Sequence, residues 1–134
     1  MKEITAVIRI EKIGATKKAL LDIGIPGFTA FKANGRGKLV TDKTLLNKRK
    51  LSIVKTSPLD TRSELVMTEF IDGTRTFPCR VVIVLVADED ADKVVQAIIK
   101  ANRTNYGIGD GKIFVSSFDE AIRVRTKETG VAAL

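Results

Sequence analysis

Three short clusters in this chain combine glycine with lysine or arginine, and all three suit a phosphate. The first is Gly35-Arg36-Gly37-Lys38. The second is Gly107-Ile108-Gly109-Asp110-Gly111-Lys112. The third is Arg123-x-Arg125, followed by Thr126. Glycines let backbone N–H groups turn toward an anion and let the backbone approach it closely. Lysine adds a point charge, and arginine adds a planar fork for bidentate contact. Arg123 and Arg125, two apart on a stretch read as extended, are expected to share one side of it. Neither glycine cluster fits the Walker A pattern, because no Ser or Thr follows the Gly-Lys step and no helix opens there. Neither fits the dinucleotide fingerprint with its βαβ crossover. Taken alone, each glycine cluster reads as a plain turn and Arg-x-Arg as a solvated edge. A single domain has difficulty gathering all three around one ligand, whereas a cleft between two copies gathers them readily.

Composition narrows the chemistry. The chain has 134 residues and no His, which removes the commonest general base and the commonest metal ligand. No Ser or Cys sits beside an evident base, so no catalytic residue is assigned and no metal site is expected. The single Cys79 excludes an internal disulfide and suits a reducing cytoplasm. It reads as a small buried or loop residue. The opening MKEITAVIRI has no apolar core of signal-peptide type, and the longest apolar run, Val81 to Ala87, is strand length. A cytoplasmic protein without membrane insertion is expected.

The net charge of +7 is unevenly placed. From Lys38 to Arg62 there are seven basic residues against two acidic ones, a net +5. Such a segment suits nucleic acid, an acidic protein or anionic lipid, or serves simply as a solvated loop. Apolar residues inside and just beyond it (Leu45, Leu51, Ile53, Val54, Phe70, Ile71) favour docking on a protein, since an interface core needs anchors. Lys48, Arg49, Lys50, Arg62, Phe70 and Ile71 are the candidate docking residues.

The elements that must position these clusters follow from periodicity. Lys2 to Ile10 alternates as a strand does. Ile13, Thr16, Ala19, Leu20 and Ile23 keep helical spacing, and Gly24 followed by Pro26 ends that helix. A second strand runs from about Phe28 to Asn34. From Leu39 to Pro78 the periodicity fades, and about 40 residues read as one long excursion, a length that inside a compact domain points to function. Arg80 to Ala87 reads as a buried strand. A helix from about Asp90 to Ala101 is expected to bury Val94, Val95, Ile98 and Ile99. A glycine-rich loop, a strand from Ile113 to Phe118, a short turn and the basic stub Arg123 to Arg125 complete the chain. Strand, helix, strand, excursion, strand, helix, strand describes a ferredoxin-like α+β domain, with four antiparallel strands and two helices on one face.

The same residues resemble the PII nitrogen-regulatory signal-transduction proteins over nearly the whole chain. MKEITAVIRIEKIGATKKALLDIGIPGFT is similar to that family's first strand and helix. VVQAIIKANRTNYGIGDGKIFV is similar to its second helix and nucleotide-closing B-loop, here about 103–112. EAIRVRTKETGVAAL is similar to its C-terminal signature, usually IRIRTGE. The resemblance implies a single domain over 1–134 that forms a trimer with ATP or ADP in clefts between subunits. In many members 2-oxoglutarate and Mg²⁺ join the ATP. It implies nucleotide contacts from Gly35, Arg36, Gly37, Lys38, Gly109, Asp110, Gly111, Lys112, Arg123, Arg125 and Thr126, with Thr29 near the adenine. The excursion, about 38–79, matches the target-docking T-loop, and 123–134 matches the C-terminal loop.

The chain departs from the common members at the T-loop, which is longer here and contains no Tyr. Leu39 replaces a Gln that helps hold Mg²⁺ and 2-oxoglutarate, and Cys79 replaces a Lys beside Arg80. The TNYGIGDGK loop is one residue longer. The long loop, the Arg-Gly-Lys form of the first motif and the Asn of IIKANRT resemble the second of two paired PII-like proteins associated with nitrogenase. That branch implies control of nitrogenase by direct contact, as a homotrimer or in a mixed assembly with a sister protein. An ammonium transporter or glutamine synthetase is the alternative target. An RNA-binding module is the rival on the same fold, but the basic-Gly-aromatic-aromatic motif it needs is missing, so no nucleic acid partner is expected.

Overall fold

The computed structural model describes residues 1–37, 76–105 and 109–134. The chain divides into two compact units. The first comprises Met1–Ala33, Pro78–Arg103 and Gly109–Leu134, and the second Asn34–Phe77 and Thr104–Ile108. Of the second unit, the described residues are the end of a strand at Asn34–Gly35, then Arg36, Gly37, Thr76, Phe77, Thr104 and Asn105.

Alternation in the first ten residues becomes β1 (Lys2–Arg9), with Ile4, Ala6 and Ile8 buried and the residues between them half-buried. After one 3₁₀ turn, α1 (Ile13–Asp22) buries Thr16 and Leu20. It stops as its sequence requires. Gly24 takes φ +83, its N–H donates to the carbonyl of Leu21 (2.9 Å), and the Ile25 N–H reaches back to Leu20 (2.9 Å). This is a Schellman closure, in which the left-handed residue is glycine because it carries no Cβ. β2 (Thr29–Gly35) is largely exposed. β3 (Phe77–Val86) opens three residues earlier than the sequence pattern indicates. A 3₁₀ turn at Asp88–Asp90, α2 (Ala91–Asn102), β4 (Lys112–Ser117) and a final 3₁₀ turn at Gly130–Ala133 complete the elements among the described residues.

The sheet order is β2-β3-β1-β4. β1 pairs antiparallel with β3, Ile4 opposite Val84, and with β4, Ile4 opposite Val115. Among the described residues, α1 and α2 pack on one face, over a core of Ile4, Ala6, Ile8, Leu20, Val82, Val84, Val86, Val94 and Ile98. This is the expected ferredoxin-like α+β arrangement.

Two burial expectations are corrected. β3 is buried on one face only. Val82, Val84 and Val86 meet the helices, while Val81, Ile83 and Leu85 remain half-buried on the other face. A continuous apolar run cannot reveal which of its faces a layer covers. In α2, Ile99 is 41% exposed and Val95 only partly buried, because the apolar stripe is wider than the strip that touches the sheet.

One polar seam joins the helices. The Asn102 Nδ2 donates to Thr16 Oγ1 (2.8 Å) and to the Ile98 carbonyl (2.9 Å), and the Thr16 hydroxyl donates to the Lys12 carbonyl (2.9 Å). Both residues are buried, and Asn102 Oδ1 has no partner. Thr16→Val deletes the acceptor and orphans a buried amide N–H. It is expected to cost about 1–3 kcal/mol by urea denaturation; an unchanged midpoint would show that the seam adds nothing.

Candidate functional site

The second glycine cluster is built against β1. Where β4 begins, Lys112 stands opposite Val7 in the ladder, so the residue before it must pass beside the β1 backbone. That residue is Gly111, at φ +107, and a Cβ there would fall on the carbonyl oxygen of Val7. Both the dihedral and the space exclude any larger residue. Gly109 also has positive φ (+72). Two glycines within three residues thus turn the backbone of this loop, the conformation from which N–H groups can face an anion.

The loop is also tied to β1 by a side chain that sequence reasoning missed. The Arg9 Nε donates to the Gly109 carbonyl (2.8 Å), and its Nη2 lies 3.3 Å from Asp110 Oδ1. The Asp110 carboxylate, assigned to the nucleotide by resemblance, therefore answers Arg9 within the chain. That pairing offsets a negative charge which would otherwise repel a phosphate at this loop. Lys112 is exposed at the mouth of β4. The available signal for Arg9 was a cation closing an alternating strand, which by itself reads only as a solvated end.

Behind the loop, a cavity of about 280 Å³ is lined by Ile8, Ile98, Ile99, Asn102, Arg103 and residues 110–113. It is mostly apolar, with the Arg103 and Lys112 cations on its wall.

The third cluster is not an extended stub. Arg123 to Lys127 form a turn, with the Lys127 N–H donating to the Arg123 carbonyl (2.8 Å) and Lys127 at φ +61. An isolated bridge pairs Ile122 with Thr129. The Arg123 Nη1 donates to Glu128 Oε2 (2.9 Å), its Nη2 to the Leu134 carbonyl (2.7 Å), and the Thr126 hydroxyl to the same Glu128 Oε2 (2.7 Å). Period-two reasoning for Arg123 and Arg125 fails here, because side chains on a tight turn do not alternate. Arg125 is exposed.

The remaining residues are dispersed among the elements. Thr29 opens β2 and Gly35 ends it, both exposed, and Arg36 and Gly37 follow, also exposed. Cys79 lies within β3, opposite Arg9. Lys38, Leu39 and the docking candidates Lys48, Arg49, Lys50, Arg62, Phe70 and Ile71 lie outside the described residues. Among the described residues no group of three Cys, Asp or Glu side chains is placed to hold a metal ion, and no helix is long and apolar enough to cross a membrane.

A family model described as nitrogen regulatory protein P-II matches residues 1–128. The chain belongs to the nitrogen regulatory P-II family. A relative from Methanosarcina barkeri, the nitrogen fixation nifHD1 region GlnB-like protein 2, is 40% identical over 134 residues, covering 100% of this chain and 99% of the relative. The nifHD region GlnB-like protein 2 of Methanobacterium ivanovii is 41% identical over 135 residues, at 100% and 99% coverage. The nitrogen regulatory protein P-II of Rhizobium meliloti strain 1021 is 35% identical over 134 residues, all of both chains. The chain is thus a nitrogen-regulatory signal-transduction protein and not an enzyme.

Two substitutions test the local geometry. Gly111→Ala must move the β1–β4 junction and is expected to destabilise the fold by about 2 kcal/mol or more. An unchanged denaturation midpoint would contradict the close approach. Lys127→Gly relieves a left-handed lysine, and is expected to leave stability unchanged or raise it by up to about 1 kcal/mol. A clear loss of stability would contradict the turn.

Proposed function

We propose that this chain senses ATP or ADP in clefts between copies of itself or of a sister protein, and reports the bound state to a target through the segment about 38–79. The observation that carries the reading is the Gly109–Lys112 turn, with two positive-φ glycines, a fixed backbone and an exposed lysine. Phosphates meet this turn, the Gly35–Lys38 cluster, and Arg123, Arg125 and Thr126 from a neighbouring copy, with the base near Thr29. Lys112 and Arg125 are exposed cations of the kind that a polyphosphate recruits.

A trimer is supported by the uncovered sheet face. Ladder register puts Thr5 beside Ile83 and Phe114, and Val7 beside Val81, on the face away from the helices. Phe114 is 56% exposed there. A second layer on this face buries the half-covered β3 residues as well, and packing around a three-fold axis supplies it. Mg²⁺ and 2-oxoglutarate are secondary effectors in this reading. With Leu39 in place of Gln, the cation relies chiefly on phosphate oxygens and water.

Relatives named for the nitrogen-fixation nifHD region support nitrogenase as the target, and the single Cys79 suits action in a reducing cytoplasm. An ammonium transporter or glutamine synthetase is the second choice.

The deciding experiment is ATP titration with and without 2-oxoglutarate and Mg²⁺, on this chain alone and mixed with a sister chain. Lys112→Ala and Arg125→Ala are each expected to weaken ATP binding by about 1.5–3 kcal/mol. Unchanged affinity in both, or RNA retention with a steep salt dependence and no ATP binding, overturns the reading. Phe114→Arg is expected to yield monomers by light scattering, and deletion of Lys43 to Asp72 to abolish target capture while ATP binding persists. Assembly that survives Phe114→Arg would remove the sheet face from the interface.

A further inference from the structure

Arg123 is where the C-terminal segment ties itself together. Its backbone N–H donates to the Glu128 carbonyl (2.9 Å) and its carbonyl accepts from Lys127 (2.8 Å). Gly130 N–H donates to the Ala121 carbonyl (2.9 Å), and Ile122 bridges Thr129. Inside this closed turn the Glu128 carboxylate faces the Arg123 guanidinium. Two opposite roles are open to such a carboxylate. It can occupy the fork that a phosphate needs and so compete with the ligand, or it can hold the fork in the orientation that the ligand needs.

The geometry points to the second: we propose that Glu128, buttressed by Thr126, is a positioning residue for the Arg123 guanidinium. The inference rests on the proposal that Arg123 meets a nucleotide phosphate, and it names what prepares Arg123 to do so. Three observations carry it. A competitor must be able to leave, and Glu128 cannot do so easily, because its backbone is tied to Arg123 and its Oε2 also accepts from Thr126 (2.7 Å). A guanidinium has five N–H donors, and the in-chain bonds from Nη1 to Glu128 and from Nη2 to Leu134 engage two of them. Three N–H groups therefore remain for an oxyanion. Finally, a half-exposed arginine samples many rotamers, and binding a phosphate requires freezing them; two anchored nitrogens freeze most of that freedom beforehand. The retained carboxylate lowers the local positive charge, which is the opposing effect that the experiment must weigh.

The test is a double-mutant cycle with ATP affinity measured by calorimetry on the full chain, and thermal unfolding measured alongside. Glu128→Ala is expected to weaken ATP about two- to fivefold, the scale of an exposed ion pair. Arg123→Ala is expected to weaken it about tenfold or more. The double variant should match Arg123→Ala alone, since a residue that acts only through Arg123 has nothing left to act on. Tighter binding by Glu128→Ala would mark a competitor and overturn the proposal, and unchanged binding overturns it equally. A double variant weaker than Arg123→Ala by the full Glu128 factor, or a large fall in unfolding temperature with Glu128→Ala, assigns Glu128 a purely structural role. Unchanged ATP affinity in Arg123→Ala removes the phosphate site itself, a failure distinct from these.

Discussion

The close approach of the Gly111 backbone to the Val7 carbonyl is the constraint on which the described site depends. β1 is an inner strand of the sheet, with both of its edges occupied by ladders to β3 and β4. Its residues therefore do two things at once. Ile4, Ala6 and Ile8 form the middle of the core, while Val7 and Arg9 form the floor and clamp of the glycine loop. The loop is not an independent turn attached to a finished domain. Its entry into β4 is fixed by the same hydrogen-bond register that places the core residues.

Such coupling suits the proposed sensing role. A backbone held by glycines needs no side-chain rearrangement to present its N–H groups, so at the proposed phosphate site little reorganisation opposes binding. Arg9 keeps the Asp110 carboxylate engaged, which lowers the electrostatic cost of bringing an anion near it. The C-terminal turn follows the same logic with different parts, a guanidinium held by a carboxylate, a hydroxyl and a carbonyl.

The amphipathicity of the sheet sets a second constraint. The helices cover one face, and the other carries Val7, Val81, Ile83, Leu85 and Phe114 with no layer over it among the described residues. The helix-covered side shows the period-two burial of an ordinary sandwich, whereas in β3 the apolar residues run without interruption. An uninterrupted apolar strand in an antiparallel sheet signals that both faces have somewhere to go. In the proposed assembly, that destination is a neighbouring copy.

Much is legible in the residues alone. The order of elements, the stop of α1 at Gly24 and the ferredoxin-like class all follow from local rules, because periodicity and the steric freedom of glycine act over a few residues. The Gly109–Lys112 cluster was also visible as a set of residue types. What the sequence could not supply was everything that depends on contact between distant segments. The partnership of Arg9 with a loop one hundred residues away is a tertiary event. So is the placement of Gly111 over Val7, and so is the choice of which β3 face the helices cover. The C-terminal cluster shows the limit most clearly. Arg123 and Arg125 read as neighbours on one side of a strand, and the hydrogen bonds to Glu128 and Leu134 fold them into a turn instead. Spacing determined which groups were available to an anion. The tertiary structure decided where they point, because direction depends on the backbone each residue is finally paired with.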